Sequence, residues 1–413
     1  MIMKILISFI FAILLVACGG SAGCNAAGAL LGAAASSACS NSNNSSPTVA
    51  TGYFIDSAVQ GLTYISGSQS GITGADGSFK YDIGKPITFS IGGLTLGTVP
   101  IASGYITPID LVSNGSITDQ QVINITSFLM SLDSNQAVSD GIQLSSSTLR
   151  AAATWLPSQL NFNQPYSTFA AQALALTGFT LPSQTSAVAH LTSSLRCLQS
   201  GIFTGTFTAT IGPGGTGGYF SDANTGQIMG AYIASDNSFW GLATSGNQDA
   251  ISLDQKGTFS MNGGTSSGAV FSGSLNSSGI SKFNNVSGSY ISRVDNNNGK
   301  FIADRLGGLN SAKFRVSGYF QIADPDFLLY ALDINVDNSI SGKLYSVKNK
   351  STVSISGSLS GNQITATATS GEVITATIDK TTGALSLVKL AKGAPIISLT
   401  SGSSGCLLNG FNA

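Results

Sequence analysis

The sequence predicts a mainly β protein with one small helical segment: an N-terminal β-sandwich, a short helical region and a C-terminal antiparallel β-meander, closed as a barrel or packed as a sandwich. Short runs of β-favouring residues recur along most of the chain, and Gly, Asn and Asp separate them. Helical spacing of apolar residues is confined to positions 113–200. Only 9% of the residues are charged, and the formal net charge is −1. This neutral surface does not attract nucleic acid, so we expect no nucleic-acid partner.

The first residues predict export. Lys4 supplies a positive charge, and residues 5–16 form an apolar run that is shorter than the roughly 20 residues of a spanning helix. The next segment, LVAC at 15–18, resembles the lipobox of bacterial lipoproteins. That resemblance implies a signal peptide at 1–17, lipidation of Cys18 and a membrane contact through the lipid anchor. Two glycines follow the cysteine, and by resemblance to enteric sorting they imply the outer membrane.

Residues 18–50 predict a flexible tether. They consist largely of Gly, Ala, Ser and Asn and contain almost no large side chains. Such a segment buries too little apolar area to offset the entropy lost on ordering the chain.

Residues 51–112 predict a small β-sandwich. Four short β-rich runs are separated by turn residues, and they lie at 52–56, 62–65, 78–82 and 86–91. Between the second and third runs, Asp76-Gly77 predicts a turn and Phe79 an inward position on the next strand. This pattern resembles the transthyretin-like or carboxypeptidase-regulatory-like sandwich, which implies a fold and no activity.

Residues 113–200 predict helices. Thr118 and Gln121 form a capping-box pattern before an apolar stripe. Three further helices with polar N-caps are predicted at 145–156, 167–177 and 183–198, the second of them ended by Gly178. The sandwich followed by this segment resembles the N-terminal part of uncharacterised bacterial surface lipoproteins, which implies a fold and a location.

Residues 201–413 predict an antiparallel meander, because alternating runs and turn signals recur about every 8–15 residues. Its architecture resembles the barrels of lipoproteins such as transferrin-binding protein B. Two pairs of segments echo each other: 224–230 with 336–342, and 271–276 with 355–361. A tandem duplication would explain both echoes, and convergence of Gly/Ser-rich hairpins is the alternative.

Cysteine usage predicts disulfides. With Cys18 assigned to lipid, four of the five cysteines remain, and they permit three pairings. We favour Cys24–Cys39 and Cys197–Cys406. The second pair flanks the meander, and closure of that meander would make its first and last strands neighbours. Metal binding is the alternative, but no two cysteines have Cys-x2-Cys spacing.

Few residues point to catalysis. His190 is the only histidine, and its place beside an apolar helical stripe favours a hydrogen-bonded structural role. Gly-x-Ser-x-Gly occurs at 19–23 and 264–268 in predicted loops, as expected by chance in a Gly- and Ser-rich chain. The Asp-rich segments 133–140 and 295–299 depart from a calcium loop and predict a helix stop and a hairpin. We therefore expect no catalytic residue, no bound metal and no cofactor.

The functional prediction is a lipid-anchored, surface-exposed binding or adhesive protein that is not an enzyme. Its partner would be an unidentified protein or glycan. A structural or assembly lipoprotein facing the periplasm is the second hypothesis. A hydrolase that uses Asp residues is the third, although no spacing singles out a carboxylate pair.

Overall fold

The protein is mainly β with four α-helices in the described part, as predicted. The computed structural model describes residues 48–137, 141–234, 239–244, 257–263, 269–280, 282–292, 296–307, 312–323, 326–395 and 400–407. Cys18, Cys24, Cys39 and the predicted signal peptide lie outside the described residues, as does the Gly-x-Ser-x-Gly segment at 264–268. None of the described helices has the length and apolarity needed to cross a membrane.

The predicted sandwich is made of two small sheets. Its strands are β1 Val49–Phe54, β2 Val59–Gln60, β3 Thr63–Ser66, β4 Gln69–Ile72, β5 Ser78–Asp82, β6 Ile87–Ile91, β7 Leu94–Val99 and β8 Tyr105–Ile106. One sheet has the order β5-β1-β8 and the other β4-β3-β6-β7, and β2 belongs to neither. The predicted turn is confirmed, since Gly77 has φ +74° and Asp76 Oδ1 accepts the Ser78 amide hydrogen at 3.0 Å. Phe79 points inward and is 2% exposed.

The four helices follow, with a short strand between the first two. They are α1 Gln120–Ser131, β9 Ile142–Gln143, α2 Ser146–Ala152, α3 Tyr166–Thr177 and α4 Gln184–Gln199. Ser145 and Ser183 cap α2 and α4 as predicted, and Gly178 ends α3 in the left-handed region. The polar N-cap predicted for α3 was wrong, because Pro165 precedes this helix and makes no side-chain cap. The capping box at Thr118 was wrong. Asp119 caps α1 instead, because its carboxylate accepts from the Gln121 amide.

The sandwich and the helices share one apolar core. Phe54 and Phe89 of the sandwich belong to the same buried cluster as Phe128 of α1 and Leu191 of α4. Strand β9 also pairs in parallel with β2. The boundary predicted at 112/113 therefore does not separate two cores, and we call residues 48–199 the N-terminal body.

The first half of the predicted meander is a closed eight-stranded barrel, which we call the central barrel. Its strands are β10 Gly201–Phe207, β11 Gly215–Ser221, β12 Ile228–Ala234, β13 Phe239–Thr244, β14 Thr258–Gly263, β15 Val270–Leu275, β16 Asn285–Ile291 and β17 Asn298–Arg305. Closure comes from antiparallel pairing of β10 with β17, where Phe207 lies opposite Phe301. Large aromatic side chains fill its described interior: Phe203, Phe207, Tyr219, Phe271, Tyr290 and Phe301.

The second half is a nine-stranded antiparallel sheet, the C-terminal sheet. Its strands are β18 Phe314–Ala323, β19 Asp326–Ile334, β20 Ser339–Ser346, β21 Ser351–Ser360, β22 Gln363–Ala368, β23 Val373–Ile378, β24 Leu385–Lys392, β25 Ala394–Pro395 and β26 Thr400–Leu407. Strand β26 returns to pair with β18, so β25 and β26 are the two edges. The sheet is nearly closed, because the β23–β24 turn lies against β26. A Cβ atom on Gly405 would come within 2.1 Å of the Gly383 carbonyl oxygen.

The first predicted echo lies at equivalent positions of the two sheets. Residues 224–230 span the turn between the second and third strands of the central barrel, and 336–342 span the corresponding turn of the C-terminal sheet. The second echo does not correspond, because 271–276 covers the sixth strand of one sheet and 355–361 the fourth strand of the other.

Buried polar contacts fix the N-terminal body on the central barrel. Lys282 Nζ lies 2.6 Å from Asp110 Oδ1, and both side chains are largely buried. Arg305 Nη2 donates to the Leu198 carbonyl at 2.8 Å at the end of α4, where helix carbonyls lack intrahelical partners. The second contact places the end of α4 beside the central barrel.

Candidate functional site

The predicted Cys197–Cys406 disulfide is confirmed. The two Cα atoms are 5.6 Å apart, and the sequence separation is 209 residues. Cys197 lies in the last turn of α4, and Cys406 lies near the end of β26. The bond therefore ties the N-terminal body to the edge strand of the C-terminal sheet.

The physical reason we gave for that pairing was wrong. The prediction assumed one meander whose first and last strands become neighbours. Strand β10 instead pairs with β11 and β17 inside the central barrel, and β26 pairs with β18. The cysteines meet because α4 ends at the junction of the two sheets. The Ala223 amide in the β11–β12 turn also donates to Ser404 Oγ of β26 at 3.0 Å.

His190, which is partly exposed, pairs with the buried Asp56. Its Nε2 lies 3.0 Å from the main-chain oxygen of Asp56 and 3.3 Å from Asp56 Oδ1. A neutral imidazole nitrogen donates to a carbonyl only if it carries the hydrogen, so Nε2 is the protonated nitrogen. Helix α4 supplies the histidine, and the turn between β1 and β2 supplies the aspartate. Ser57 holds that turn in place by donating its amide hydrogen to Ser194 Oγ at 3.0 Å.

Burial controls the ionisation of this pair. Asp56 is fully buried, which raises the pKa of its carboxyl to about 6, and His190 opposes part of that shift. Neither carboxylate oxygen receives a hydrogen bond from the described residues. A buried acid with a pKa this high takes up a proton near neutral pH.

A cleft of about 230 Å³, the junction cleft, adjoins this pair. His190, Ser193 and the disulfide line it, together with Asn224 and the β23–β24 turn. The structure thus brings together three residues that the sequence singled out, His190, Cys197 and Cys406. The described residues show no hydrogen bond between His190 and a serine.

The Asp-rich segments form turns. Asp133 follows α1, and its Oδ2 accepts from the Ala137 amide at 2.8 Å, as expected for an Asx-rich helix stop. Residues 138–140 and Asp295 lie outside the described residues. Asn297 Oδ1 accepts from the Thr210 and Ile211 amides at 3.1 and 3.0 Å, which ties the β16–β17 hairpin to the β10–β11 loop. Both predictions are confirmed for the parts that are described.

A second cavity, of about 430 Å³, opens at the other end of the C-terminal sheet, and we call it the mouth cavity. It lies between Ile322 of β18 and Leu328 of β19 on one side and the β20–β21 and β22–β23 connections on the other. The β23–β24 turn adjoins the junction cleft instead. Its apolar walls are Ile322, Leu328, Leu344 and Val353. Its polar lining is Ser346, Asn349, Ser351, Ser370, Glu372 and Lys392.

The alternation of the strands builds this cavity. Along β20 the inward positions run from Ile340 to Leu344 and then to Ser346. Along β21 the inward positions run from Ile355 through Val353 to Ser351 at the same end of the sheet. Small hydroxyl side chains thus replace aliphatic ones where the strands end, which leaves an opening with an apolar floor and a polar rim.

An ion pair marks the rim. Lys392 Nζ lies 2.8 Å from Glu372 Oε1, and Ser370 Oγ donates to Glu372 Oε2. The Glu372 side chain is 11% exposed, whereas that of Lys392 is 52% exposed. Partial burial acts to raise the pKa of Glu372, but the hydrogen bonds from Lys392 and Ser370 outweigh it, so the pKa is lowered and the carboxylate is ionised.

Our sequence reasoning missed Asp56, Glu372 and Lys392. Asp56 lies 134 residues from His190, so no local pattern joins them. Glu372 carried a signal that we did not use, because it is the only glutamate of the chain. The change from aliphatic to hydroxyl residues at the inward positions of β20 and β21 was a second usable signal.

Comparisons with known proteins place the chain in no named family. No family model matches it, and no curated protein does. Among solved structures, it is similar to a protein of unknown function from the DUF3598 family of Nostoc punctiforme PCC 73102. That similarity has a TM-score of 0.20 and 12% identity, and it covers 52% of this chain and 98% of the other. A likeness this weak carries no argument about function.

Proposed function

We propose that this protein is a lipid-anchored cell-surface protein that binds a ligand without catalysing a reaction. The mouth cavity is the observation that supports binding best. Ligand sites are typically concave and mostly apolar with a few placed polar groups, and the mouths of β-barrels are among their usual locations. The mouth cavity combines a floor of Leu328 and Leu344 with a rim that carries Glu372 and Lys392.

The lipobox at 15–18 and the Gly/Ser/Asn-rich segment 18–50 support the anchoring half of the proposal. Several acyl chains, at about 0.8 kcal/mol per buried methylene, make a stable anchor. A tether of this composition would hold the folded part away from the membrane surface.

A single cellular experiment tests anchoring. Cys18→Ser should abolish incorporation of labelled palmitate and leave the precursor unprocessed, and Cys24→Ser is the matched control that keeps both. Equal palmitate labelling of the Cys18→Ser protein would refute the anchor.

Protease shaving of intact cells tests the surface location. We expect added protease to cut the wild-type protein, and a protein facing the periplasm to be cut only after the outer membrane is opened. Protection in intact cells would favour the structural or assembly lipoprotein instead.

A further inference from the structure

We infer that the mouth cavity takes an amphipathic carboxylate, a ligand with one apolar chain and one anionic head group. This inference rests on the proposed function, because it specifies the ligand of the same cavity. The two parts of the ligand correspond to the two parts of the lining.

The floor of the cavity suits an alkyl chain. Leu328 and Leu344 belong to the apolar core of the C-terminal sheet and are 7% and 2% exposed. Ile322 and Val353 pack against the same core at its open end. Transfer of methylene groups from water to such walls is favourable and has little directional preference, so the floor selects for an apolar chain and not for a particular one.

The rim favours an anion over a cation. Glu372 is mostly buried, and Lys392 and Ser370 already donate to its carboxylate, so its negative charge is compensated within the protein. Lys392 is half exposed, and its ammonium has three N–H donors, of which one goes to Glu372. It can therefore donate to an incoming carboxylate while keeping its ion pair.

Further hydrogen-bond donors line the cavity or lie in the adjoining turn. The hydroxyls of Ser346 and Ser351 line the cavity and can donate to a carboxylate oxygen. Lys348 is exposed in the β20–β21 turn, next to Asn349 of the lining.

The test measures equilibrium binding of radiolabelled decanoate to the full-length protein in its membrane-derived preparation. Ser351→Trp blocks the mouth at an exposed position and defines the background, including uptake by lipid. Ser356→Trp places the same side chain at an exposed position on the outer face of the same strand and is its control. Lys392→Gln removes the cation, and Lys343→Gln is its matched control, because Lys343 bonds Ser354 on the outer face.

We expect saturable decanoate binding that Ser351→Trp abolishes and Ser356→Trp preserves. Lys392→Gln should weaken decanoate binding about tenfold or more, the usual loss for a charged hydrogen bond, and Lys343→Gln should leave it unchanged. Decyltrimethylammonium, with the same chain and a cationic head, should bind more weakly than decanoate to the wild type.

Two results would overturn the inference in different ways. If decyltrimethylammonium binds as well as decanoate and Lys392→Gln affects neither, the ligand class is wrong while binding in the mouth cavity stands. If neither compound shows binding that depends on the open mouth, both the ligand class and the assignment of the cavity as the binding site fail. Thermal unfolding of each variant identifies any that has lost its fold.

Discussion

The central barrel and the C-terminal sheet are successive antiparallel meanders of the same chain, yet they use their interiors differently. The central barrel is closed by the β10–β17 pairing and filled with aromatic rings such as Phe271 and Tyr290, whose centroids are 5.4 Å apart. The C-terminal sheet has one more strand, two edges and a mainly aliphatic interior that gives way to serine at one end. Closure with large side chains produces a packed scaffold, whereas near-closure with smaller ones leaves a cavity.

The two regions also differ in how they are held. Strand pairing leaves the central barrel without an edge. The C-terminal sheet relies on the Cys197–Cys406 bond and on contacts of its outer face, where Phe327 and Leu329 pack against Phe220 of the central barrel. This difference predicts how much each substitution in the two regions lowers the free energy of unfolding.

The largest effect should come from removing the disulfide. The Cys197→Ser/Cys406→Ser substitutions remove the covalent link between the edge strand β26 and helix α4. This link closes a loop of about 200 residues. On the chain-entropy model we expect a loss of about 5 kcal/mol in the free energy of unfolding, measured by urea denaturation. Cys24→Ser/Cys39→Ser is the control, because those cysteines lie in the tether that the sequence predicts at 18–50. Free thiols at both Cys197 and Cys406 in the parent would contradict the account.

A smaller difference should separate the two interiors. Phe301→Ala in the central barrel removes a 3%-exposed ring that lies 5.4 Å from Tyr219, and should cost about 4 kcal/mol. Leu328→Ala should cost less, about 2 kcal/mol, because Leu328 already borders an open cavity. Equal losses in urea denaturation would indicate that the mouth cavity is closed in solution.

The buried carboxyl group of Asp56 should make the free energy of unfolding depend on pH. Because burial raises the pKa of Asp56 from 3.8 to about 6, the folded state binds this proton more tightly than the unfolded state does. Tighter binding of this proton contributes about 3 kcal/mol to the free energy of unfolding. The contribution is fully present below pH 3.8 and is lost as the pH rises through 6. Asp56→Asn should remove this dependence and make the protein more stable at pH 7. An unchanged pH profile of urea midpoints would contradict it.

The smallest effect should come from the rim. Ser351→Trp changes an exposed residue and should alter the free energy of unfolding by less than about 0.5 kcal/mol. Ser356→Trp on the outer face should have an equally small effect, as measured by thermal unfolding of both variants. A large loss for Ser351→Trp alone would show that the mouth is packed and not open.

The sequence predicted features that depend on local chemistry. Asp76-Gly77, the Ser145 and Ser183 caps and the Gly178 stop follow from turn and helix-end preferences that need no distant partner. The pairing partners of the strands could not be predicted, because strands with alternating residues have the same sequence pattern whether they form one sheet or two. The chain changes sheets between Arg305 and Phe314, and no pattern in the flanking strands marks that change.

The candidate site was predicted only in part for the same reason. The pairing of Cys197 with Cys406 was predicted from the number of cysteines and from the positions of these two at the ends of the meander. The first and last strands of the meander, which we expected to be neighbours, do not pair with each other. Asp56 and His190 meet through the packing of α4 on the sandwich, and Glu372 meets Lys392 across 20 residues at a strand end. The mouth cavity also depends on near-closure of the C-terminal sheet, and single-residue preferences carry little information about closure.

Photocrosslinking locates the binding site most directly. A ten-carbon carboxylate with a diazirine on its chain is irradiated with the full-length protein, and the adducts are mapped by mass spectrometry. We expect adducts on the strand segments around Ile322, Leu328 and Leu344, abolished by Ser351→Trp and retained with Ser356→Trp. Adducts confined to the central barrel, or an equal pattern in both tryptophan variants, would contradict the claim that the C-terminal sheet is the binding region.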